Sequence, residues 1–130
     1  MRVVLDTNIF ISAFAIPGSL SEKAMLKIIE GGDILVLSKD IINEVLLVLS
    51  SKFSRDKEGI SHVAVILSEL GELVKPIKKV SIFKDDPDNR ILECAIQGKA
   101  DVLVTGDKEI LQLREYERIR IISFKEYAGS

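Results

Sequence analysis

Apolar positions along the chain fall into two rhythms. Val3-Val4-Leu5, Ile34-Leu35-Val36-Leu37, Val102-Leu103-Val104 and Arg120-Ile121-Ile122 are short runs rich in β-branched residues, each bounded by polar or glycine positions. Such runs predict strands buried on both faces, at residues 2–5, 34–37, 102–104 and 120–122. Between them lie longer stretches with helical spacing. One starts at Thr7 and is broken by Pro17-Gly18, and a second covers Ser21 to Glu30 and stops at Gly31-Gly32. Ser38 is a fitting N-cap for a helix over 39–52, and a further helix is expected over 59–73. A weaker extended stretch covers Val80–Phe83. After it, Asp86 is expected to cap a helix with Pro87 in its first position, running to Gln97 before Gly98. A short helix over 108–113 separates the last two strands. Strands alternating with helices predict an α/β fold, three layers α/β/α around a central parallel sheet.

Size and composition narrow the picture. At 130 residues and 47% hydrophobic, the chain suits one domain over 1–130 with a core of its own. One cysteine, Cys94, excludes a disulfide framework and multi-cysteine metal sites, and one histidine, His62, excludes mechanisms that need a histidine pair. No apolar run approaches the roughly 20 residues that span a bilayer, and Asp6 interrupts the N-terminal apolar run too early for a signal peptide. A cytoplasmic location without membrane contact is the expectation. Net charge is −2, split evenly: 7 basic against 8 acidic residues up to position 65, then 11 against 12. Nucleic-acid binding by bulk positive charge is therefore disfavoured, leaving room for a local basic patch.

The carboxylates carry the chemistry. In an open parallel sheet, ligands bind beyond the carboxyl ends of the strands. Asp6 follows the first strand directly, and Asp107 follows Val104 across a Thr105-Gly106 turn. Each could equally be a plain helix cap. Asp88 is more telling. It shares the stripe of Ile91, Leu92 and Ala95, so it faces inward in the first turn of its helix, where a lone desolvated carboxylate is costly. Asp86 is accounted for as the cap. Glu44 falls about 40° outside the apolar arc of its helix, a boundary position that suits either a solvated glutamate or one turned along the sheet toward a crevice. Four carboxylates gathered in one pocket would raise one another's pKa values, and a divalent cation would relieve them. Oxygen ligands without Cys or His select a hard ion, Mg²⁺ or Mn²⁺. Such a site suits hydrolysis of a phosphodiester.

Val3-Val4-Leu5-Asp6-Thr7-Asn8, Glu44, the run from Asp88 to Ala95, and Leu103-Val104-Thr105-Gly106-Asp107-Lys108 together resemble the PIN-domain nucleases, in family order from about Arg2 to Tyr127. The resemblance implies a metal-dependent endoribonuclease acting on RNA, with Asp6, Glu44, Asp88 and Asp107 as its catalytic acids. It implies Asp6 and Asp88 as the main ligands of one or two Mg²⁺ or Mn²⁺ ions. Glu44 would bind metal or orient the attacking water, and Asp107 would complete the site. Asn8 and Thr105 are implied as polar neighbours, beside Asp86. Many small members are toxins of toxin–antitoxin pairs, so the resemblance also implies a cognate antitoxin and a homodimer as partners.

Other residues carry less. His62 has no second ligand beside it, and Cys94 is a natural small core filler. Lys75, Lys78, Lys79 and Lys84 form the densest basic stretch; with Arg90 they are candidates for an RNA backbone, or simply a solvated surface. Two other functions remain open. A phosphoaspartyl phosphatase also starts from a strand ending in Asp, but would place a second Asp where Asn8 stands. A non-catalytic PIN-like module that binds RNA or protein would be favoured by missing acids, and all four are present.

Overall fold

The computed structural model describes residues 1–129. In chain order the elements are β1 (Arg2–Leu5), α1 (Thr7–Ala15), α2 (Leu20–Gly31), β2 (Ile34–Ser38), α3 (Lys39–Lys52), α4 (Lys57–Leu70), β3 (Glu72–Val74), α5 (Asp86–Gln97), β4 (Val102–Thr105), α6 (Lys108–Leu111), β5 (Glu115–Tyr116), β6 (Ile119–Ser123) and α7 (Phe124–Gly129). Six strands form one sheet in the order β3-β2-β1-β4-β6-β5, parallel except for the terminal β5, and helices flank it. β1 lies at the centre, with Val3 opposite Leu35 of β2 and Val102 of β4. Val3, Val4, Leu5, Leu35, Val36, Leu37 and Leu103 are buried, as the uninterrupted apolar runs required. No described helix is long and apolar enough to cross a membrane on its own.

The chain lays β1, β2 and β3 side by side in one direction, then returns through α5 to place β4 on the other side of β1. Strand order therefore reverses between β1 and β4. There the loops leave the sheet in opposite directions and open a crevice at the carboxyl ends of the strands. α5 packs across β1, β2 and β4 beneath that crevice. Its far end sits close on the sheet: a Cβ at Gly98 would stand 2.3 Å from Val36 Cγ1.

Several expected boundaries differ. α4 ends at Leu70, and the chain goes straight into β3, so the expected extension of that helix to residue 73 is a strand at the sheet edge. Val80–Phe83 forms no strand. Its backbone is held by one face of α5: Ile77 N–H donates to Gln97 Oε1 (3.2 Å), Val80 N–H to Glu93 Oε2 (2.8 Å) and Phe83 N–H to Asn89 Oδ1 (2.9 Å). Asn89 Nδ2 donates back to the Phe83 carbonyl at 2.9 Å, and Arg90 to the Val80 carbonyl at 3.1 Å. Asn89, Glu93 and Gln97 recur every four residues on one side of the helix, and this polar stripe satisfies groups that a sheet ladder would otherwise satisfy. Asp85, not Asp86, stands at the N-cap of α5; Asp86 is the first helical residue, which moves Pro87 to the second.

Candidate active site

Asp6 ends β1 and caps α1. Its Oδ1 accepts the Asn8 amide at 3.1 Å, and the residue is 3% exposed. Its Oδ2 accepts the Thr105 hydroxyl at 2.6 Å. Thr105, the fully buried last residue of β4, also accepts the backbone N–H of Asp107 at 3.0 Å. One hydroxyl thus locks the ends of β1 and β4 together and fixes the turn that carries Asp107. Asp107 in turn caps α6, its Oδ1 accepting from Glu109 N (2.8 Å) and Ile110 N (3.3 Å). Both readings of these acids apply: each is a cap, and each stands at the switch-point crevice.

Asp88 is half-buried in the first turn of α5, on the stripe it shares with buried Ile91, Leu92 and Ala95. Its carboxyl is pushed up to about 7, first by burial and then by the carboxylates of Asp6, Asp85, Asp107 and Glu109. The pKa of Asp6 is also raised, chiefly by burial; the bonds from Thr105 and Asn8 oppose the shift, while Asp107 and Asp85 add to it. The structure therefore brings Asp6, Asp88 and Asp107 within electrostatic reach of one another, and adds Asp85 and Glu109, which sequence reasoning passed over. Asp85 is the N-cap of α5 and makes no side-chain cap bond, so its carboxylate is not taken up by its own helix.

Glu44 stands apart. It is half-buried and lines a cleft of about 310 Å³ between α3 and the start of α5, with Thr7, Asp40, Asn43, Asp86 and Arg90. The carboxylates that act most on Asp88 do not include it. Arg90 reaches this cleft, but its guanidinium is paired with the buried Glu93 at 2.9 Å. The lysines lie elsewhere. Lys75 and Lys79 are exposed, Lys78 pairs with Glu117 at 2.8 Å in the β5–β6 turn, and none of the three lines a cleft beside the acids. His62 is exposed, while Cys94 is fully buried, with its thiol pushed up to about 12 by desolvation.

No three acidic side chains among the described residues stand close enough to form a ready-made metal cage. The donor set nonetheless fits a hard divalent ion: every candidate ligand is a carboxylate oxygen, and Asp6, Asp85 and Asp107 each push the pKa of Asp88 upward, a repulsion that a bound cation would relieve.

The sequence matches the PIN domain over residues 2–109, and the chain belongs to that family. Members of the family are typically nucleases and generally bind divalent metals. An uncharacterized protein, MJ1680, of Methanocaldococcus jannaschii is 29% identical over 132 residues, covering 96% of this chain and 84% of the relative. The fold is similar to a chain of VapBC2 from Rickettsia felis, solved bound to a DNA fragment from their promoter. The TM-score is 0.68 at 18% identity, over 95% of this chain and 98% of that one. It is also similar to a chain of VapBC-1 from nontypeable Haemophilus influenzae, with a TM-score of 0.66 at 18% identity, over 96% and 99%.

Proposed function

We propose that the chain is a Mg²⁺- or Mn²⁺-dependent endoribonuclease, acting as one domain over 1–130 in the cytoplasm, and the toxin of a toxin–antitoxin pair. One observation carries the reading. At the switch point, Asp6 and Asp107 lie within electrostatic reach of Asp88, whose pKa burial and these carboxylates push up to about 7. Asp6, Asp88 and Asp107 would hold the ion, with Glu44 reaching in from α3. Once bound, the ion supplies an activated water and steadies negative charge on a phosphoryl oxygen. The chain's own residues set the stage. The Thr105 hydroxyl favours the ionised form of Asp6, and the capped turn at Asp107 keeps that carboxylate at the rim. The similarity to VapBC complexes supports an antitoxin partner, and the resemblance to small toxins a homodimer.

The test is cleavage of single-stranded RNA in Mn²⁺ by the wild type and by Asp6→Asn. The expected result is cutting by the wild type and a loss of at least about 100-fold in the variant, the scale of removing one preorganised charged group. Equal cutting by both places the chemistry elsewhere.

A further inference from the structure

The acids at the switch point border a second cleft, which the reading above leaves without a role. It measures about 260 Å³, and its lining includes Asp6, Asp107, Asn8, Ser12, Gly106 and Phe124. Its character differs from that of the cleft at Glu44. Apart from the two rim aspartates, it offers no charged group, only neutral polar side chains, Ile9, Gly106 and a ring, whereas the other holds Asp40, Glu44, Asp86 and Arg90. Phe124 opens α7, is half-buried, and is the one aromatic residue lining either cleft. Gly106 keeps that ring bare: a Cβ there would stand 3.0 Å from Phe124 Cε1 and 3.3 Å from Cδ1.

Whatever enters meets both the rim carboxylates and the aromatic ring. The ring favours a flat, uncharged group with polar edges over a phosphate. Bases meet that description, and stacking on an aromatic side chain works for any base because each has a π-face. We infer that this cleft seats a nucleobase next to the scissile phosphate, stacked on Phe124, with Asn8 and Ser12 meeting its edge. The inference rests on the ribonuclease reading and names how that site grips its strand.

The chain contains no tryptophan, so Phe124→Trp introduces a single reporter indole at the cleft. In Ca²⁺, a hard cation that carboxylate oxygens also bind, the variant is titrated with a short single-stranded RNA and with an abasic strand of equal length and charge. The expected result is quenching of the indole by the base-bearing strand and none by the abasic one. Phe124→Leu keeps apolar bulk without a π-face, and should bind a labelled RNA about ten-fold more weakly with an unchanged urea midpoint. Quenching by both strands, by neither, or wild-type binding by Phe124→Leu would each overturn the proposal. RNA cleavage by the wild type alongside an unquenched indole would sink the base subsite alone. Quenching without cleavage would instead count against the nuclease reading.

Discussion

Replacing Asp88 with Asn should make the metal-free protein more stable at pH 8 and leave it nearly unchanged near pH 4. The reason is the position of Asp88: half-buried and facing four other carboxylates, it titrates at about 7 against an ordinary value of 3.8. A group whose folded pKa lies above its unfolded value favours folding while protonated. That advantage is complete below about pH 4 and is lost as pH rises through about 7. The shift of about three units sets a ceiling of roughly 4 kcal/mol. Asp88 keeps partial contact with water, which screens its neighbours, so about 1–2 kcal/mol is the expected penalty at pH 8. Asn is nearly isosteric with the protonated acid and carries no titrating charge. Urea denaturation in EDTA at pH 4.5 and pH 8 measures the difference directly. The wild type should lose about 1–2 kcal/mol relative to Asp88→Asn between these two values. Asp6 remains in both proteins, and losing the Asp88 charge eases its ionisation as well, which adds to the difference in the same direction. Parallel curves for the two would refute the claim that these acids repel one another at one rim.

Two more outcomes follow from single contacts. Thr105→Val keeps the shape but removes the hydroxyl that donates to Asp6 and accepts from Asp107. It should cost about 1–3 kcal/mol in thermal denaturation and weaken Mn²⁺ binding measured by calorimetry. Asn89→Ala deletes both bonds to the Phe83 backbone inside the core, at about 2–4 kcal/mol, and should expose residues 75–85 to limited proteolysis under native conditions.

The parts legible in the sequence are those where one local rule governs. A strand followed directly by Asp placed Asp6 at the carboxyl edge, a strand followed by a short Thr105-Gly106 turn placed Asp107 there, and the stripe of Asp88 with Ile91, Leu92 and Ala95 gave its inward direction. The convergence of these acids depends on β4 joining β1 from the other side, a tertiary fact that no local pattern contains. Val80–Phe83 reads as a strand because its composition suits one, yet its partner is the face of a helix; the polar positions Asn89, Glu93 and Gln97, four apart on one side of α5, were the available signal. The β5–β6 turn gave none. Glu117 and Arg118 adopt positive φ angles of 46° and 73° without the glycine or asparagine that usually marks such a turn. α7 is six residues long, too short for a period to emerge, and so the ring of Phe124 beside the acids went unseen.

A crystal structure of the protein with Mn²⁺, read by anomalous scattering, tests most directly whether Asp6 and Asp88 share one cation. The predicted result is a manganese ion in direct contact with the carboxylates of both Asp6 and Asp88 at the ends of β1 and the start of α5. An ion elsewhere, or none at millimolar Mn²⁺ with those carboxylates apart, would contradict it.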